Sequence, residues 1–231
     1  MRYGKLPAQK IHGLADLSTY TGSRSCPPPR VTPPDISQWE MLGNDQLGDC
    51  TIAGAAHLVM AWDQYYHVQT PVPTQEQVEA QYLQLTGGSD TGLPEAAVLR
   101  TWHDTGLWGS DRIAMLAPVS GITAIHQCIA EFGGCYLGVQ LPESAETQSQ
   151  GGLPWTITPT DRIVGGHCVV AVGYDPEYLD VITWGTLQLV SYPWIDRYCD
   201  EAWGIVSAEQ ANAASLSLRA YEADLQSIAG A

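Results

Sequence analysis

Residues 42–54 read LGNDQLGDCTIAG. A polar, glycine-punctuated turn runs into an apolar stretch, and Cys50 stands at the junction. Beyond it Ile52, Ala55, Ala56, Val59, Trp62 and Tyr66 recur at helical spacing, which predicts a largely buried helix from Cys50 to about Tyr66. A cysteine in that place is a structural thiol, half of a disulfide, or a nucleophile. A thiolate at a helix N-terminus is favoured by the unpaired backbone N–H groups and the positive end of the helix dipole. The third reading therefore requires a general base elsewhere in the chain.

The composition narrows the field. The chain has 231 residues with 45% hydrophobic and 15% charged residues, enough to build a substantial core. Its formal net charge is −15, with no basic stripe to release counterions, so nucleic-acid phosphate and anionic membranes are excluded as expected partners. MRYGKLPAQKIHGL has no apolar segment of the kind that follows a basic export signal. No stretch is long and apolar enough to span a bilayer. The six cysteines (26, 50, 128, 135, 168, 199) form no short pairs. The expectation is reduced thiols in a cytoplasm, with no metal site and no cofactor.

Along the chain, residues 1–36 form a proline-rich arm, with five prolines between positions 27 and 34. It is expected to wrap the domain's own surface or to reach a neighbouring subunit, and its composition is equally compatible with lying in a cleft. A domain over 37–231 follows. Its first part, about 37–133, reads as helical: the Cys50 helix, a helix opened by a Thr74/Gln77 capping box, one after Pro94, and one over 122–132. Its second part, about 134–207, reads as strands at 135–141, 167–175, 179–185 and 201–207, with a polar loop at 142–160 and a short helix at 191–199. A C-terminal helix is expected over about 208–229, opened by Ser207 and Gln210. Helices first and strands afterwards indicate an α+β fold with a mostly antiparallel sheet.

His167 is the best base for Cys50. It follows Gly165-Gly166 and opens the strand HCVVAVGY, so its ring projects from a rigid edge. An oxyanion needs the nucleophile's own N–H and one more donor, which the amide of Asn44 or Gln46 could supply. His57, His103 and His126 fall in predicted helices and read as structural, and Cys168 points to the face opposite His167.

The set Asn44-x5-Cys50, then GGHCVVAVGYD, then ITWGT resembles the papain-like cysteine peptidases. The aspartate before the cysteine is closer to the bacteriocin-leader branch, and the overall texture resembles papain-like proteins of actinobacteria and their phages. The resemblance implies a helical lobe with a central nucleophile helix and an antiparallel β lobe, with a cleft between them. It implies Cys50 as nucleophile, His167 as base and Asn44 as oxyanion donor by its six-residue offset. Gln46, Gly166 and Trp184 would lie along the substrate, a peptide or protein. A phage origin would place the chain in a host cytoplasm or a virion.

One position departs from the family pattern. The asparagine that steadies the histidine belongs two residues before Trp184, where Ile182 stands. Thr183 takes its place only if the strand shifts by one residue, for example through a bulge, and Asp180 is a more distant alternative. A Cys–His pair can work as a dyad, because a thiolate is intrinsically nucleophilic. The leading expectation is thus a cysteine hydrolase acting on a peptide or amide bond through an acyl-enzyme. The alternatives are a catalytically silent papain-like scaffold serving as an interaction or virion protein, and an acyltransferase or cell-wall amidase on the same fold.

Overall fold

A short helix, α1 (Leu17–Thr21), precedes the helix anticipated after Cys50, α2 (Cys50–Tyr66). In this computed structural model the described residues are 2–21, 26–66, 71–109, 112–213, 216 and 218–229. Helix α3 (Gln75–Leu85) opens on the capping box read from the sequence: Gln77 N–H donates to Thr74 Oγ1, and Thr74 N–H donates to Gln77 Oε1. Helix α4 (Glu95–Asp104) follows Pro94. Then come β1 (Ile113–Pro118) and α5 (Ile122–Phe132), the latter closed by Gly133 at φ +74°. The second half contains β2 (Cys135–Pro142), α6 (Glu143–Gln150), β3 (Ile163–Tyr174), β4 (Tyr178–Thr183), β5 (Thr186–Ser191), α7 (Tyr192–Tyr198) and β6 (Cys199–Ser207). It ends in α8 (Ala208–Ala213) and α9 (Leu218–Ala229).

Four elements differ from the sequence reading. Strand β1 lies inside the stretch read as helical; its partner is β6, far away in sequence, so no local pattern announces it. The polar stretch 142–160 is in part helix α6. The expected strand 179–185 ends at Thr183 and turns straight back as β5. The C-terminal segment holds two helices; Ser207 and Gln210 form the expected reciprocal cap at the start of α8.

All strand pairings are antiparallel, in the order β1-β6-β2-β3-β4-β5. One face of the sheet buries Cys168, Val170, Val172 and Ile182 with α2, α3 and α4. The other buries Val169, Ala171, Val181 and Trp184 with α5 and α7. The architecture is α+β. Helix α2 packs tightly on the sheet at Gly54, where a Cβ would stand 2.9 Å from Cys168 Sγ and 3.1 Å from the Tyr136 ring. That approach fixes how far Cys50, one turn earlier, lies from the start of β3. Within the proline-rich arm, Val31 exchanges both backbone hydrogen bonds with Tyr174 of the domain, whose hydroxyl donates to Pro28 O. Among the described residues no helix is long and apolar enough to cross a membrane.

Gly54→Ala tests this contact. Alanine gains about 0.5–1 kcal/mol of helix propensity over glycine, whereas overpacking costs about 1–3 kcal/mol. The expected result is a lower urea midpoint with an unchanged slope.

Candidate active site

The turn before α2 is shaped by backbone that few side chains favour: Leu42 at φ +57° and Gly43 at φ +91°. It brings Asn44, Asp49 and Cys50 inward, all buried. Asn44 Nδ2 donates to Leu47 O (3.2 Å) and to Asp49 Oδ1 (3.1 Å), so both amide hydrogens are engaged within the turn. Gln46, the other sequence candidate, is exposed. Burial pushes the Asp49 carboxyl up to about 7 against the pull of the Asn44 hydrogen bond.

His167 enters from β3 and is also buried. Its Nε2 lies 2.8 Å from Thr183 Oγ1. The register explains why Thr183 and not Ile182 stands there. Val170 pairs with Ile182 and Ala171 with Val181, but Gly173 pairs with Asp180, so the ladder slips by one residue at Val172. On the His167 side of this bulge, odd-numbered positions of β3 and β4 share a face. Thr183 therefore faces the imidazole, and Ile182 joins the core against α2. Asp180, opposite Gly173, lies beyond the bulge and away from His167.

Trp184 and Gly185 form the two-residue turn from β4 to β5, both at positive φ (+46° and +69°), as a type I′ hairpin requires. Such a conformation is strained for tryptophan, and packing holds it. The indole stacks on His167 (4.7 Å, 23°) and meets Trp155 edge-on (6.0 Å, 66°).

Residues 2–6 fill the space between the Cys50 turn and the start of β3. Arg2 N–H donates to Asn44 O, Lys5 N–H to Gly166 O and Leu6 N–H to Leu93 O, while Gly4 O accepts from Leu93 N–H. The Tyr3 ring lies 6.4 Å from both His167 and Trp184, and its hydroxyl donates to Glu146. A Cβ on Gly4 would stand 1.7 Å from Gly48 O, so no larger residue fits there. The Lys5 ammonium is wholly buried on Asp200 (2.9 Å) and Glu201 (3.0 Å).

This closure sets the electrostatics. Burial pushes the Cys50 thiol up to about 12, outweighing the backbone N–H groups of Cys168 and Gly4 beside the sulfur. Burial likewise lowers His167 to about 3, with His57 a lesser cause. Both are neutral at pH 7 in this arrangement. His167 Nδ1, the nitrogen away from Thr183, has no hydrogen-bond partner among the described residues.

The histidines read as structural all have partners: His57 Nε2 lies 2.8 Å from Glu40 O, His103 Nδ1 lies 2.7 Å from Asp104 Oδ1, and His126 stacks on Tyr174 at 3.9 Å. Cys168 turns toward Gly54 on α2, opposite His167. Among the described residues no group of His, Cys, Asp or Glu is placed to hold a metal ion. The sequence reading allowed residues 1–36 to lie in a cleft but singled out neither Tyr3, Gly4 and Lys5 nor the carboxylates that receive Lys5. Their only sequence signal is a glycine–lysine pair in an otherwise unremarkable segment.

Neither a protein-family model nor a curated protein matches the chain. The crystal structure of xylellain, a cysteine protease from Xylella fastidiosa, matches with a TM-score of 0.67 at 18% identity, over 89% of this chain and 96% of that one. The chain has the papain-like fold. The similarity covers both halves of the papain-like architecture and gives no support to an actinobacterial or phage source.

Asp49 makes this papain-like turn sensitive to pH. Its folded value lies above its unfolded one, so its contribution to stability is fully present below the unfolded value and is lost as pH rises through about 7. Asp49→Asn removes that dependence. Urea denaturation at about pH 5 and about pH 8 should show the variant gaining stability relative to the native chain as pH rises.

Proposed function

We propose that the chain is a cysteine-dependent hydrolase of peptide or amide bonds, kept closed by its own residues 2–6. The observation that carries this reading is His167: it is held through Nε2 by Thr183, shielded by Trp184, and left with an unpartnered Nδ1. The backbone N–H of the next residue, Cys168, lies beside the Cys50 sulfur.

The chemistry follows once residues 2–6 leave and water enters. His167 Nε2–H donates to the Thr183 hydroxyl, which leaves Nδ1 as the base. Rehydration lowers the thiol's value and raises the imidazole's, so the proton passes from Cys50 to His167. The thiolate attacks the carbonyl carbon, and the backbone N–H of Cys50 receives the oxyanion, since the Ile52 and Ala53 N–H groups already donate to Asp49 O. Asn44 contributes when it exchanges its bond to Leu47 for one to the oxyanion. The imidazolium gives its proton to the leaving amine. It then takes a proton from water, and the resulting hydroxide releases the acid from the acyl-enzyme.

Thr183 is a neutral orienter in place of the family's asparagine and supplies one hydrogen bond. Losing it costs about 1 kcal/mol, or about fivefold in rate.

A second reading, a silent papain-like scaffold, is favoured by the burial that keeps the His167 imidazole neutral. The two separate on Gly4→Leu, which cannot seat against Gly48 and so displaces the segment. The expected result is hydrolysis of a mixed fluorogenic peptide pool by Gly4→Leu, little by the native chain, and none by Gly4→Leu/Cys50→Ala. Thr183→Val in the opened chain should lower kcat about fivefold with little change in KM. Inertness of the opened chain toward every peptide in the pool favours the scaffold. Product capture by an added amine in place of water favours acyl transfer.

A further inference from the structure

The cavity that receives Lys5 has a composition that backbone closure alone does not require. The Lys5 side chain, with 0% of its surface exposed, meets Asp200 at 2.9 Å and Glu201 at 3.0 Å. A third acid, Glu95, is 0% exposed, with the Cys168 thiol beside its carboxyl group. Lys5, Glu201 and Glu95 converge on one point. A Cβ placed on Gly138 would stand 2.1 Å from Lys5 Cε, 2.6 Å from Glu201 Cγ and 3.0 Å from Glu95 Oε1. Strand β2 thus has a glycine where the lysine stem passes; Asp200 and Glu201 hold the cation, and Glu95 adds a third carboxyl group nearby.

Such a pocket is costly when empty, because removing one partner of a buried ion pair leaves uncompensated charge. Burial lowers the Lys5 ammonium, but the Asp200 hydrogen bond and the carboxylates of Glu201 and Glu95 outweigh it and hold the group charged. Burial also drives Glu95 well above the usual carboxylate range. When residues 2–6 leave, the site is satisfied by protons or by another cation of the same reach. Lys5 follows directly after Gly4, whose N–H lies beside the Cys50 sulfur. The pocket is therefore one residue along an extended chain from the thiol.

We propose that Asp200, Glu201 and Glu95 form a specificity pocket for a lysine or arginine side chain of the substrate, which Lys5 occupies in the closed chain. The proposal rests on the reading of this cleft as the substrate track, and its test reads binding rather than turnover. The protein is full-length Gly4→Leu/Cys50→Ala, and the probes are fluorescein-labelled Arg-Tyr-Gly-Xaa-Leu amides with Xaa lysine, arginine or norleucine. Fluorescence anisotropy should show the lysine and arginine peptides binding about thirtyfold more tightly than the norleucine peptide. Glu201→Gln should shrink that preference, and Asp200→Asn, at a more exposed position, gives the same readout if Glu201→Gln does not fold.

Equal binding of the three peptides overturns the proposal, as does a preference unchanged in both carboxylate variants. So does absence of binding by all three once alkylation of Cys50 in Gly4→Leu shows the cleft open. Lysine-dependent binding with no hydrolysis by Gly4→Leu keeps the pocket and removes the hydrolase reading. Hydrolysis indifferent to the basic residue keeps the hydrolase and removes the pocket.

Discussion

Three glycines meet where the N-terminal segment crosses the Cys50 turn, and the closed state depends on them. A Cβ on Gly4 would collide with Gly48 O at 1.7 Å, and one on Gly92 with Gly4 O at 2.3 Å. Without side chains the two backbones touch, and Gly4 O reaches Leu93 N–H at 2.9 Å. The surrounding turns are tied to the same point: Gly48 N–H and Tyr82 Oη–H both donate to Asp90, and Gly92 N–H donates to the Tyr82 hydroxyl. A segment with no helix or extended strand of its own is thus held by neighbours that fit only glycine.

That contact also sets the chemistry of the cleft. In water a cysteine and a histidine can exchange a proton to form an ion pair, but burial disfavours both charged forms. The thiol is raised and the imidazole lowered until the neutral pair is the stable one. The helix N-terminus and two backbone N–H groups pull the other way and lose to desolvation. In the proposed hydrolase, rehydration of the cleft is what reverses this balance.

Much of this was legible in the residues. The polar turn before an apolar helix placed Cys50, and Gly-Gly-His before an apolar strand placed His167. The choice between Ile182 and Thr183 was not legible. It depends on a bulge at Val172 within VVAV, where every residue is apolar and no alternation marks the register. The β4–β5 turn was read as continuous strand because Trp-Gly at positive φ is not the usual Asn-Gly turn signal. Asn44 was read as an oxyanion donor, but its two amide hydrogens turn inward to Leu47 and Asp49, which residue spacing cannot show. Residues 2–6 were hidden for a related reason: their hydrogen bonds run to residues 44, 93 and 166, and non-local pairing leaves no local pattern.

The most direct test of a closed, latent thiol is the alkylation of Cys50 by iodoacetamide at about pH 6, where a thiolate at a helix N-terminus reacts and a thiol does not. Peptide mapping of the native chain and of Gly4→Leu gives the rate, with exposed Cys26 as the internal reference. The account predicts that Cys50 is protected in the native chain and reacts faster than Cys26 in the variant. Equal protection of Cys50 in both chains, or labelling of native Cys50 as fast as Cys26, would contradict it.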